Sequence, residues 1–251
     1  MPAEPILSVR GLSKRFGGLL ALDAVSFDVA PGEIYGVIGP NGAGKTTLFS
    51  CLVGALAPTR GGIRFRGGRI DGLPNHAIVR HGLVRTHQIV RPFREMTVRE
   101  NVSVGAHFGS GRRRGAEADR RVGAILEQTG LAPRADTPAA TLTIGELKRL
   151  EIARALATEP AALCLDEVMG GLNPSEIRAA LALIRSLRDA GLTILMIEHH
   201  VHAVLGVSDR ILVLNFGQPI AEGAPADVVK HPEVISAYLG GDDAVPLFPE
   251  A

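Results

Sequence analysis

The stretch IYGVIGPNGAGKTT (34–47) constrains this chain more than any other. Five residues of strand type, Ile34 to Ile38, run straight into Gly39, Pro40, Asn41, Gly42, Ala43, Gly44, Lys45, Thr46 and Thr47. The first eight match G-x-x-x-x-G-K-[ST] in full, and a helical run to about Val53 follows. The glycines let successive backbone N–H groups turn inward around phosphate oxygens, and the helix N-terminus adds partial positive charge. In that arrangement Lys45 reaches the β- and γ-phosphates and the Thr46 hydroxyl sits on Mg²⁺. A glycine-rich turn with a chance lysine explains neither the strand before it nor the helix after it. The segment predicts an α/β protein that binds a nucleotide.

The remainder of the chain supports that class. Short β-type runs, ILSV (6–9) and AVSFDV (24–29), precede the turn Pro31-Gly32, and the turn APTRGG (57–62) leads into IRFR (63–66). Residues 92–158 are mostly helix-compatible, interrupted by GSGRRRG (109–115). AALCL (161–165) is a continuous apolar run bounded by charge, the pattern of a strand buried on both faces. A helix over 175–189 has its apolar face at Ile177, Leu181, Ile184 and Leu187, with Asn173 or Ser175 as cap, Pro174 near its first turn and Gly191 as its end. TILMI (193–197), a short helix and ILVL (211–214) complete the pattern. Strands alternating with helices predict a parallel sheet with helices on both faces. The last dozen residues, GGDDAVPLFPEA, read as a loose tail.

Composition removes several function classes. A hydrophobic content of 46% supports a sizeable core, and a formal net charge of +1 provides no global attraction for nucleic acid. Cys51 and Cys164 lack metal-ligand spacing and read as small core residues. No apolar h-region opens the chain and no run approaches the ~18–20 residues of a membrane span. A membrane role therefore goes through a partner. Arg112, Arg113 and Arg114 read as a solvated loop, with lipid-headgroup contact as the minor alternative.

ALCLDE ends in paired carboxylates at a strand's C-terminal edge, where α/β folds bind ligands. Asp166 suits the Mg²⁺ shell, and Glu167 is placed to polarise an attacking water. With the phosphate loop upstream, this pair is more than a solvated strand exit.

Together these motifs resemble the ATP-binding subunit of an ABC transporter over nearly the whole chain. The phosphate loop resembles that family's Walker A, and ALCLDE its Walker B with the catalytic glutamate. Gln88 in RTHQ resembles the glutamine that senses Mg²⁺ and the membrane subunit, and GLNP (171–174) resembles the D-loop. His199 in MIEHH resembles the switch histidine at the γ-phosphate, and Phe16 in KRFGG falls where the family stacks an aromatic on adenine. A core position for Phe16, an ordinary loop role for Gln88 and a structural role for His199 stay open. A metal cluster of Glu198, His199, His200 and His202 is poorly spaced for one tetrahedral site. LTIGE (142–146) resembles the signature that usually reads LSGGQ; the likeness implies that Thr143, Gly145 and Glu146 approach the nucleotide of a second subunit.

The resemblance implies a P-loop NTPase fold of the ABC ATPase type. Its core is a mostly parallel sheet, with an N-terminal antiparallel β subdomain and a helical subdomain inserted at about 92–158. The domain spans residues 1–240 and the tail 241–251. It implies ATP and Mg²⁺ as cofactors and a second ABC ATPase subunit, identical or related, as dimer partner. It also implies membrane permease subunits, an indirect link to a periplasmic solute-binding protein, and a cytoplasmic, membrane-peripheral location. RPFREMTVRENV (91–102), RLEIARALAT, VSDRILVLNFGQPIAEGAP and HPEVISAYLG look like the branched-chain amino-acid importers of the LivG type. Relatives of that group also carry urea, short amides and aromatic acids, and the lipopolysaccharide-export ATPase shares the general motifs.

The chain departs from the family pattern at Thr143 for Ser, Ile144 for Gly, Glu146 for Gln, Val168 for Pro, Asn173 for Asp and His87 for Phe. None removes a hydroxyl, a phosphate-facing glycine or a needed carboxylate. Glu146 puts a negative charge near a triphosphate, with Lys148 and Arg149 close in sequence to offset it. Two rival readings remain: a soluble ABC ATPase acting on ribosomes or DNA, and a regulatory subunit that binds nucleotide without hydrolysing it. The chain has one ATPase unit with no basic extension, which disfavours the first. Glu167 and His199 are intact, which disfavours the second.

Overall fold

The computed structural model describes residues 4–86, 91–109 and 115–239. They fall into two compact units: the stretch up to Ile78 joined by the stretch from Thr193 onward, and Val79–Leu192. In chain order the elements are β1 (Leu7–Phe16), β2 (Leu19–Val29), β3 (Ile34–Ile38), α1 (Lys45–Leu52), β4 (Arg60–Phe65), β5 (Gly68–Arg69) and α2 (Asn75–His81). Next come β6 (Leu83–Arg85), α3 (Val98–Phe108), α4 (Gly115–Gln128), α5 (Ile144–Ala157), β7 (Ala162–Asp166) and α6 (Pro174–Asp189). The chain closes with β8 (Thr193–Ile197), α7 (Val201–Val207), β9 (Arg210–Asn215), β10 (Gln218–Gly223), α8 (Pro225–Val228) and α9 (Pro232–Leu239).

In the first unit β2, β1, β4 and β5 form an antiparallel sheet in that order. β3 pairs in parallel with both β8 and β9, in registers Ile34↔Ile194 and Tyr35↔Arg210. Every residue of β3 and β8 is buried, which is why both read as unbroken apolar runs instead of alternating ones. β10 adds antiparallel to β9. In the second unit β6 lies parallel to β7 with Arg85 opposite Cys164.

The β1–β2 hairpin is much longer than the two apolar runs suggest. Its register shifts three times between Val9 and Arg15. Each shift puts the inward and outward positions out of phase, so the strict alternation that marks a strand in sequence is lost. Helix α6 is capped by Asn173, whose Oδ1 accepts from Ser175 N and Glu176 N at 3.0 Å each. Ile184 and Leu187 are buried as its pattern predicts, Leu183 joins them, and Ile177 and Leu181 are half-buried. Both cysteines are core residues: burial pushes the Cys51 thiol up to about 11 and the Cys164 thiol up to about 12.

Candidate functional site

The phosphate loop sits at the end of β3, where the chain turns into α1. Gly44 is the N-cap of α1 with φ 101°, and Gly39 has φ 151°. A Cβ at Gly39 would fall 2.1 Å from the Leu214 carbonyl oxygen and one at Gly44 2.6 Å from that of Ala21, so only glycine fits either position. Lys45 is 6% exposed, and its Nζ donates to the carbonyls of Gly39 at 2.6 Å and Pro40 at 3.0 Å. The ammonium is thus folded back over its own loop. Thr46, next on α1, is exposed, and the helix has no acidic residue in its first turn. The first turn thus supplies no anion of its own to the helix N-terminus.

In the same unit Phe16 ends β1 beside the hairpin turn. It is 44% exposed with Lys14 Nζ 5.1 Å from its ring centroid, so it is not a core aromatic. His199 is exposed directly after β8, following buried Glu198. No group of three or more His, Cys, Asp or Glu placed to hold a metal ion occurs among the described residues. A cavity of about 500 Å³ is lined on one side by Pro40, Asn41 and Ala43 of the loop and on the other by Phe216 and by Glu233 and Ser236 of α9.

The carboxylate pair belongs to the second unit. Asp166, the last residue of β7, is 2% exposed. Its backbone N–H donates to Thr86 Oγ1 at 3.2 Å, and its Oδ2 accepts from Arg85 Nη2 and, at 3.2 Å, from Arg85 Nε. Oδ1 is buried with no hydrogen-bond partner among the described residues. Glu167, half-buried, turns off the strand with φ 50°. Its carbonyl accepts from Lys148 Nζ at 2.9 Å.

The signature turn begins α5. Thr143 is the N-cap: its Oγ1 accepts from Glu146 N at 3.3 Å, and Glu146 Oε2 accepts from Thr143 N at 2.9 Å. This reciprocal capping box gives the residue that breaks the LSGGQ pattern a local structural task. Its other oxygen, Oε1, pairs with Arg134 Nε at 3.4 Å. Arg134 is the cation on Glu146, while the ammonium of Lys148, nearer in sequence, donates to Glu167. Gly145 is buried, and a Cβ there would fall 2.6 Å from Glu176 Oε1. Glu176 Oε2 in turn accepts from Asn173 N at 2.9 Å, so the cap of α6 lies against the glycine of the signature.

Gln88 lies outside the described residues, together with His87, Ile89, Val90, the arginine run 112–114 and the tail 240–251. Residues 93–101 are held firmly. Buried Asn101 donates to Phe93 O at 3.0 Å and Thr97 O at 2.9 Å and accepts from Phe93 N at 2.9 Å. Arg154 stacks on the Phe93 ring, 5.3 Å from its centroid. Phe93 and Met96 remain outward-facing.

Sequence reasoning passed over Arg85, Arg134 and Glu176. Each acts on a residue far along the chain or in another element, and none carries a local motif. The only signal for Glu176 was its place three residues after Asn173, the spacing of a capping box.

Two family patterns match the chain: ABC transporter over residues 22–170, and Branched-chain amino acid ATP-binding cassette transporter over 218–244. The High-affinity branched-chain amino acid transport ATP-binding protein LivG of Escherichia coli (strain K12) is 47% identical over 252 residues, covering 95% of this chain and 99% of that protein. The corresponding protein BraF of Pseudomonas aeruginosa is 46% identical with the same coverage. Among solved structures, the ADP conformation of MJ1267, an ATP-binding cassette of an ABC transporter, superposes with a TM-score of 0.87 at 32% identity, covering 95% of this chain and 100% of that one. The fold is that of a P-loop NTPase of the ABC type, and the chain belongs to the ABC transporter family as a nucleotide-binding ATPase.

Proposed function

We propose that this chain is the ATP-hydrolysing subunit of an importer for branched-chain or related amino acids. It works as a dimer with a second ABC ATPase beneath membrane permease subunits that receive solute from a periplasmic binding protein. The observation that carries the reading is the 47% identity along nearly the full length to a LivG protein, joined by the match of 218–244 to the branched-chain group. Among the described residues no helix is long and apolar enough to cross a membrane, so contact with the bilayer comes through the permease on the cytoplasmic face. Phe93 and Met96, presented on a segment clamped by Asn101 and Arg154, suit the docking of a short permease helix, with Gln88 beside them in sequence.

ATP phosphates bind at Gly39–Thr47, with Lys45 swinging from its carbonyl partners onto the β- and γ-oxygens and Phe16 stacking on adenine. Thr46, Asp166 and Gln88 would be the magnesium contacts that the family resemblance implies; the buried Asp166 Oδ1, without a hydrogen-bond partner among the described residues, fits that task. The bound ion supplies neutralisation of phosphate charge. Glu167 accepts the proton of the attacking water as it closes on the γ-phosphorus, and His199 steadies the γ-phosphate. Thr143, Gly145 and Glu146 complete the partner's site.

Glu167→Gln keeps the side-chain shape and loses the charge. Such a chain should bind ATP, stop turning over and accumulate as an ATP-bound dimer on gel filtration with MgATP. Brisk turnover by that variant removes Glu167 from the mechanism. Reconstitution with co-purified permease subunits and uptake of labelled leucine tests the solute: uptake of urea or an amide in place of leucine overturns the amino-acid reading.

A further inference from the structure

Lys148 lies on α5, five residues past Thr143, and only 9% of it is exposed. A lysine is rarely buried so far unless its charge is engaged. Its ammonium donates at 2.9 Å to the backbone carbonyl of Glu167. That peptide is unusual: Glu167 has φ 50°, the left-handed region that side chains bearing a Cβ disfavour. The same carbonyl accepts Gly170 N at 3.4 Å, a longer and neutral contact, so the charge-assisted bond is the stronger one. Backbone strain that is held in place by a specific contact, at a residue carrying a reactive group, points to aiming.

We propose that Lys148 is a positioning residue: by pinning the Glu167 carbonyl it holds the left-handed peptide and so aims the Glu167 carboxylate. The proposal rests on reading Glu167 as the base. The contact Lys148 makes is to the backbone carbonyl, so its loss leaves the base present but badly directed. That defect falls on the chemical step and not on ATP affinity. The link has a second consequence. On the proposed function Thr143 at the start of α5 faces the partner's nucleotide, and Lys148 on the same helix steers this chain's own base. A shift of α5 driven by one nucleotide is therefore felt at the carboxylate serving the other.

The test uses full-length chains in steady-state ATP hydrolysis. Lys148→Met, which keeps the apolar stem and removes the donor, should lower kcat by about tenfold or more, equivalent to ~1.4 kcal/mol of barrier. The KM for ATP should stay within about threefold, since uniform binding is untouched. Lys148→Arg, which restores a cationic donor, should recover most of the loss. In a Glu167→Gln background Lys148→Met should lower the residual turnover no further, because the effect passes through that carboxylate. An equal fractional loss in both backgrounds means a structural role and overturns the proposal. So does an unchanged kcat in Lys148→Met, or a change confined to KM. Should Lys148→Met fail to fold in a thermal melt, Lys148→Gln, a shorter neutral donor, takes its place and should give an intermediate kcat; a parental kcat overturns the proposal. Parental turnover by Glu167→Gln alone overturns the base assignment itself, a result separable from every Lys148 outcome.

Discussion

Helices α1 and α5 both begin at the segments proposed to meet phosphate, and they begin in opposite ways. At α1 the cap is Gly44, with no side chain to offer and no acid in the first turn. At α5 the cap is Thr143, closed by a reciprocal box with Glu146, whose carboxylate is neutralised by Arg134. The first N–H groups of any helix lack intrahelical partners. α1 offers them no side-chain cap. α5 takes the Glu146 N–H for its own cap and supplies its own anion, a placement worth ~0.3–1 kcal/mol to the helix. The first arrangement suits durable binding of a triphosphate. The second suits a contact made and released, because the α5 cap closes within the chain.

The sharpest break of this contrast is to give α1 the start of α5. Thr47 occupies the position in α1 that Glu146 occupies in α5, the third residue after the cap. Thr47→Glu sets a carboxylate against the phosphates. At ~8 Å and an effective dielectric of 40–80 the repulsion is ~0.5–1 kcal/mol per phosphate charge. Summed over a triphosphate, that should remove measurable ATP binding by calorimetry. Lys45→Ala acts at the same place by subtraction: it deletes a charge-assisted contact of ~1.5–3 kcal/mol, and affinity should fall by at least about tenfold. Parental affinity in either variant contradicts the phosphate-loop assignment.

Next in size is Gly145. Gly145→Asp should nearly abolish hydrolysis in the assembled transporter while ATP still binds at the variant's own phosphate loop. The structure adds an intrachain cause, since any Cβ here meets Glu176 Oε1 at 2.6 Å. Relief requires the Glu176 side chain to swing away and give up its bond to Asn173 N, a cap worth ~0.5–2 kcal/mol. Gly145→Ala should therefore lower the melting temperature in the parent and much less in a Glu176→Ala background. Equal losses in the two backgrounds would show that Glu176 is not the obstacle.

Arg134→Gln leaves the Glu146 charge without its cation. The pair is partly exposed, 38% and 17%, so its worth is ~0.2–1 kcal/mol, and turnover should drop by no more than about fivefold. Glu146→Gln is expected to do least. Glutamine still closes a capping box, and the change in turnover should stay below that of Arg134→Gln, under about fivefold or ~1 kcal/mol. Combined with Arg134→Gln it should restore what that variant lost. A larger effect of Glu146→Gln than of Arg134→Gln would mean that the carboxylate itself meets the nucleotide.

Much of this arrangement was legible in the sequence, and the parts that were not share a cause. The phosphate loop could be read because strand, glycines, lysine and helix are contiguous. The cap of α6 was narrowed to Asn173 or Ser175, and Asn173 lies three residues before the acid that closes it, as local hydrogen bonding requires. The hairpin of β1 and β2 was underestimated, because its register shifts scramble alternation. Glu146 looked like a liability in sequence; only the direction of its two oxygens, one onto Thr143 N and one toward Arg134, shows it to be a compensated cap.

The sequence by itself determined the nucleotide chemistry, the α/β class and the family, since these rest on periodicity and on contiguous motifs whose spacing sets their geometry. The tertiary structure alone decided which cation serves which anion or carbonyl. Arg85 was placed on Asp166, Arg134 on Glu146, Lys148 on the Glu167 carbonyl and Glu176 against Gly145. Such pairings depend on where folded elements bring side chains together. A long arginine or lysine has several partners within reach along the sequence, and only the packing of β6 with β7 and the start of α5 against α6 selects one.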